Sequence, residues 1–237
     1  MYLTQIRGGK LAFVWLWLVM LSFAFSAPVL PAIAETETLI YRGAIDAERN
    51  AALFARARDM ESLERLLISS GGGSVKAGIA LGRWVREQGL ALVIEDYCLS
   101  SCANYVFTAA TRRIIRSGAV VGWHGNYRHL LETGLWREDA VARRGEDRAA
   151  ALKRARASAQ ELVALEHDFF DEIEVDEYVC WVGKMPPHNV PNYYTLSLAD
   201  MHRFGIERVD APPGYPDDEA MEQVEGLRFI RLDAPAS

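Results

Sequence analysis

Three short segments of this chain carry residue types that could do chemistry together. The first is Ser69-Ser70-Gly71-Gly72-Gly73-Ser74-Val75, which follows an apolar run and precedes a helix-like stretch. Glycines at such a turn let backbone N–H groups converge on one point beside a helix N-terminus. That is a place for a phosphate or a developing oxyanion, although glycines there also serve simply to turn the chain. The second is Tyr97-Cys98-Leu99-Ser100-Ser101-Cys102-Ala103-Asn104-Tyr105, again between a strand and a helix. A serine on this turn can present its hydroxyl as a nucleophile where the helix dipole favours the alkoxide, or it can cap the helix. The third is Val120-Val121-Gly122-Trp123-His124-Gly125, an apolar strand ending in a histidine, which suits a general base.

The elements that must position these residues alternate. Thr38 to Ala44 reads as a strand, Ala47 to Met60 as a helix and Leu63 to Ser70 as a buried parallel strand. Ser74 N-caps a helix that runs to about Gln88, before Gly89. Ala91 to Asp96 is the next strand, and a helix runs from about Ser100 to Ala110. Arg112 to His124 holds a strand pair or one bent strand around Ser117-Gly118. Strands and helices joined by short loops specify an α/β fold with a mostly parallel sheet. Gly125 to Gly145 reads as irregular, and Glu146 to Ile173 as one long helix with an apolar stripe through Leu152, Ala159, Leu162, Phe169 and Ile173.

Taken in this order, the segments resemble the ClpP/crotonase superfamily, specifically the Clp-protease-like serine peptidases. Ser70-Gly71-Gly72-Gly73 matches that family's glycine turn, with Gly71 in place of its proline. Ser101 falls at the nucleophile position with Ser100 as its competitor, Thr108-Ala109-Ala110 matches the end of the following helix, and Arg113 to His124 matches the strand that delivers the base. The similarity covers Thr38 to Gly125. A Cys-x-Ser-x-Cys turn and a closing Leu-Ser helix, seen in Tyr194 to Ile206, are similar to those of exported proteins of this type. The resemblance implies that Ser101 attacks a carbonyl and His124 takes its proton. It places the oxyanion and substrate at Gly72, Gly73 and Cys102, with no cofactor or metal and with a homo-oligomeric assembly.

The family's orienting aspartate has no clear counterpart. Counting back from Gly205 reaches Tyr193, with Asn192 beside it; Asn192 is the expected third member, and Asp168, Asp171 and Asp176 are rivals. Without any of them a bare Ser–His dyad remains. Cys98 and Cys102 flank the serine turn as a disulfide, as two buried thiols, or with His124 as zinc ligands, and Cys180 has no evident partner. His129, His167, His188 and His202 read as polar-surface residues. A Ser–Lys enzyme would need Lys153 or Lys184 as its base, and an acyl-CoA enzyme of the crotonase type would not need the serine.

Composition and the chain ends bound the function class. The chain has 237 residues, 50% hydrophobic and 24% charged, enough for one domain with a full core. A net charge of −6, with no basic stripe, disfavours nucleic acid as a partner. Arg7 and Lys10, an apolar run from Leu11 to Phe25 and Ala32-Ile33-Ala34 form the order of a secretory signal, and Leu11 to Ile33 is also long enough for an anchor. The expected organisation is a signal or membrane anchor over residues 1–34, a catalytic domain over 35–210 and a Pro/Asp-rich, loosely ordered tail over 211–237. Leu227 to Leu232 could add an edge strand to the sheet. The expected protein is an exported, periplasmic or extracytoplasmic serine hydrolase acting on a peptide or protein. The alternative is a catalytically silent ClpP-like binding protein of the cell envelope.

Overall fold

The computed structural model describes residues 37–133 and 147–232. The expected signal or membrane anchor over residues 1–34 therefore lies outside the described residues. Strand β1 (Glu37–Arg42) buries Leu39 and Tyr41 and exposes Ile40 and Arg42, the alternation of an edge strand covered on one face. Helix α1 (Ala47–Ala57) starts where the Asp46 side chain accepts from the Arg49 N–H. Strand β2 (Leu63–Ser70) is buried from Leu66 onward, as a central parallel strand must be. Helix α2 (Val75–Glu87) is capped by Ser74 and packs Ile79, Leu81 and Val85 inward. Strand β3 (Ala91–Leu99) runs three residues further than its apolar sequence suggests.

After β3 the chain enters a helix whose Cys102–Phe107 stretch is π-helical and completely buried. Strands β4 (Arg112–Ile115) and β5 (Val120–Gly122) confirm a strand pair broken at Ser117-Gly118. Both pair with β3, β4 along its first half and β5 along its last three residues. Helix α3 (Tyr127–Thr133) lies in the stretch expected to be irregular. Its start is set by Asn126, whose Oδ1 accepts from the His129 N–H, a local cap that outweighs the polar composition. Helix α4 (Arg148–Ile173) is the long helix, capped by Asp147.

The remaining elements are strand β6 (Tyr194–Leu196), helix α5 (Leu198–Arg203), strand β7 (Val209–Asp210), helix α6 (Asp218–Glu222) and strand β8 (Arg228–Ile230). The main sheet is parallel, in the order β1-β2-β3-β4-β7, with β5 also on β3. Strand β8 does not join it but pairs with β6 in a separate two-stranded sheet. The fold is thus α/β with a mostly parallel sheet and flanking helices.

The described part of the tail, residues 211–232, is packed rather than loose. The Tyr215 hydroxyl accepts from the Val121 N–H at 3.2 Å and lies 3.2 Å from the Thr195 hydroxyl. Ala220 and Leu227 bury against Val120. Counting prolines and aspartates misses this, because three apolar side chains and one phenol suffice to dock a short segment.

Candidate functional site

Sheet register brings the serine turn to the histidine. Leu99 lies opposite Gly122, and the Ser100 N–H donates to the Gly122 carbonyl at 3.0 Å. Ser100 is thus the first residue past the strand, and His124 follows Gly122 by two. His124 Nε2 lies 2.7 Å from Ser100 Oγ. Ser100 has a left-handed φ of 56°, an unfavourable conformation for a non-glycine residue, held by the strand before it and the helix after it. The turn therefore presents Ser100, not Ser101, to His124. Ser101 is buried, and its hydroxyl donates to the Gly73 carbonyl at 2.8 Å. The expectation for Ser101 is corrected by one residue, for a geometric reason: adjacent side chains at a strand end leave in different directions.

Cys98 and Cys102 form a disulfide with their Cα atoms 5.2 Å apart. It joins the end of β3 to the start of the π-helix and brackets Ser100. Both sulfurs are consumed, which removes the zinc reading through Cys98, Cys102 and His124. Cys180 is a free, buried thiol.

The glycine turn lies directly against the serine turn. Gly72 has φ +91°, and a Cβ on it would meet Leu99 O and Ser100 Cβ at 2.7 Å and Ser101 N at 2.8 Å, so only glycine fits. Its N–H is already donated to Ser70 Oγ at 3.1 Å. The expectation that Gly72 supplies an oxyanion donor is therefore corrected: that hydrogen is engaged within its own turn. The next amide, Gly73 N–H, has no hydrogen-bond partner among the described residues. Gly73 is held by Ile45, whose N–H donates to Gly72 O and whose carbonyl accepts from Ser74 N–H. Ser101 N–H lies in the first turn of its helix, where no preceding helical carbonyl is available, and it is the amide next to Ser100. Cys102, the other expected donor, is one residue further on and fully buried.

No expected third member reaches His124. The Asn192 side chain lies over Gly226, while its carbonyl accepts from Lys184 Nζ at 2.6 Å. Asp168 is exposed on α4, Asp171 faces His167 at 3.6 Å, and Asp176 caps the turn Glu177–Cys180 through the Tyr178 N–H. Among the described residues, no carboxylate hydrogen-bonds His124. The Tyr193 ring packs edge-on against the imidazole at 4.9 Å between centroids.

Desolvation, and then the Lys184 charge, hold the His124 pKa below the ordinary 6.5, against an opposing contact with its own main chain. The side chain keeps access to solvent, with Ser100 Oγ at its Nε2 and the Tyr193 ring packed edge-on against it. Acting as a base, His124 would have to be neutral, and a lowered pKa would keep it so further into acid. The acid limb of Ser100 reactivity should therefore lie below pH 6.5. In Lys184→Met the same limb should move to higher pH, because a nearby positive charge has been removed. A pH series of probe-labelling rates on the two proteins checks this, and coincident limbs would remove Lys184 from the account.

A cavity of about 790 Å³ opens from the Ser100–His124 pair. Its walls come from the glycine turn, the start of α2, helix α3 and the segment around Lys184 and Val190. His129, expected on the surface, is buried there, and burial lowers its pKa.

Behind the cavity lies Glu166 of α4, fully buried. It accepts from the Tyr105 hydroxyl and from the Tyr127 N–H at 3.2 Å. It links the π-helix after Ser100 to the start of α3, and sequence reading missed it because it sits inside a charged helix face. Desolvation raises its pKa to about 7, despite hydrogen bonds from Tyr105 and the Tyr127 and Arg128 amides. A raised folded pKa means stability present below the unfolded value near 4.5 and lost as pH passes about 7. The loss is on the order of 3 kcal/mol. In urea unfolding at pH 5 and pH 8, Glu166→Gln should fall less than wild type by about that amount; equal falls would mean Glu166 is ionised throughout.

Arg113 anchors the far end of the helix. It is buried, and it donates to the carbonyls of Phe107 at 2.6 Å, Thr108 at 2.5 Å and Glu207. The helix that begins at the serine turn is thus fixed at both ends. Compared with known proteins, the chain matches no family model and no curated protein.

Proposed function

We propose that this chain is an exported serine hydrolase, most simply a peptidase, of the ClpP/crotonase-like fold. The carrying observation is the 2.7 Å approach of His124 Nε2 to Ser100 Oγ on a left-handed strand-to-helix turn. Neutral His124, with its proton on Nδ1, removes the Ser100 proton as the oxygen attacks a carbonyl carbon. The Gly73 and Ser101 amides receive the charge that develops on the carbonyl oxygen. His124 then returns the proton to the leaving amine, and water repeats the cycle on the acyl-enzyme. Among the described residues the catalytic unit is a dyad, with Tyr193 packed against the ring and no carboxylate hydrogen-bonded to His124.

The parallel sheet, the glycine turn and the strand-end histidine support the ClpP-like likeness. The export order of residues 1–34 supports placement outside the cytoplasm, where the disulfide is stable. A homo-oligomer follows only from the same likeness. The cavity beside Ser100 has room for a peptide side chain and its neighbours. A second reading, a silent peptide-binding protein, is favoured by the lack of an acid on His124 among the described residues. Intact-mass analysis after a fluorophosphonate probe separates the two: one adduct on wild type supports the hydrolase, and none on a folded protein supports the binding module.

A further inference from the structure

The cavity wall has a charge sign opposite to that of the whole chain. The protein carries a net −6. Yet the charged residues among the described lining of the cavity are Lys76 and Lys184, with no aspartate or glutamate. Lys184 is the informative one. Its Nζ donates to the carbonyls of Pro191 at 3.0 Å and Asn192 at 2.6 Å, which leaves one of its three hydrogens for a ligand. It has no carboxylate partner among the described residues, so a half-desolvated cation is balanced by peptide dipoles alone. Lys76, exposed at the opposite wall, also lacks an ion pair among the described residues.

Two further features have the same sign. Ser74 and Val75 bring the N-terminal end of the 13-residue helix α2 to the wall. Asn126, on the wall and almost completely buried, has its Oδ1 taken by the His129 N–H, which leaves its Nδ2 donor without a partner among the described residues. The nearby acids are already engaged. Glu166 is held by Tyr105 and the Tyr127 amide, and Glu132 is ion-paired to Arg128 at 2.7 Å.

We propose that this wall is a carboxylate subsite centred on Lys184, so that the cavity takes peptides carrying an acidic side chain or a free C-terminus beside the residue presented to Ser100. The inference rests on the hydrolase reading only for where the peptide is cut. Recognition itself is a binding property, and it can be read in protein that cannot react. A charge-assisted hydrogen bond from a partly enclosed lysine corresponds to about a tenfold or larger preference for carboxylate over amide.

The test uses the full chain with Ser100→Ala and three dye-labelled alanine-rich pentapeptides followed by fluorescence anisotropy. One carries a single glutamate and an amidated C-terminus, the second has glutamine instead, and the third is the glutamine peptide with a free C-terminal carboxylate. The first or the third should bind about tenfold or more tightly than the second, and which one does identifies the carboxylate's source. Lys184→Met should abolish the preference, and Lys184→Arg should keep it. Equal binding of all three peptides, binding of none, or a preference that survives Lys184→Met combined with Lys76→Met would overturn the subsite. Probe labelling of Ser100 in the parent protein tests the hydrolase reading separately. Labelling without preference removes only the subsite, and preference without labelling leaves an acidic-peptide binding module.

Discussion

Ser100→Ala will lose the fluorophosphonate adduct completely, His124→Ala will lose nearly all of it, and Ser101→Ala will keep it. The two serines are adjacent, equally polar and both at the start of a helix, so composition cannot separate them. Their hydrogen bonds do. Ser100 Oγ faces an imidazole at 2.7 Å, whereas Ser101 Oγ donates to Gly73 O at 2.8 Å and is buried. A serine without a base is a poor nucleophile at neutral pH, and deleting either member of such a pair costs about 10⁴-fold or more in rate. Ser101→Ala removes a bond that steadies the Gly73 turn, so its labelling slows by about tenfold or less. The measurement is the mass of the intact protein over a time course with the probe. An adduct that persists in Ser100→Ala and vanishes in Ser101→Ala would exchange the two roles.

Replacing both bridged cysteines, as Cys98→Ala with Cys102→Ala, is expected to weaken the fold and to slow Ser100 labelling more than the stability loss explains. The bridge closes a loop of only a few residues, so its chain-entropy contribution is modest, about 2 kcal/mol. A melting midpoint lower by about 5 °C or more follows for a domain of this size. The local effect is larger. Ser100 sits in a left-handed conformation that relaxes unless both flanks are pinned, and the bridge pins Cys98 to Cys102 across it. A displacement of about 1 Å in a nucleophile can cost about a hundredfold. Both sulfurs are fully buried, so the native protein should resist reductant and gain two mass units only after unfolding. If the double variant labels at the wild-type rate below its melting point, the turn is held by the Ser100–Gly122 backbone bond and packing alone.

Much of the fold was legible because its signals are local. Ser74 caps the helix that follows it, and Leu66 to Ser70 reads as buried strand because both faces are covered. The glycine turn, the serine turn and His124 stand out because few residue types perform those tasks at strand ends. The central serine of Cys98-Leu99-Ser100-Ser101-Cys102 was a further signal, since a bridge between its ends leaves Ser100 in the middle. What stayed hidden depends on residues far apart in the chain. The packed tail rests on Tyr215 meeting Val121, and the partner of Glu166 is a tyrosine 61 residues away.

By itself, the sequence determined the α/β alternation, the order of the three site segments and the positions of the caps and turns. These follow from periodicity and backbone preference, which act over a few residues. Tertiary structure alone decided which serine meets the histidine, which amides stay free, and that Tyr193 packs against the imidazole. The reason is register. Pairing Leu99 with Gly122 sets where Ser100 and His124 emerge, and a slip of one residue would turn every side chain on the strand to the opposite face.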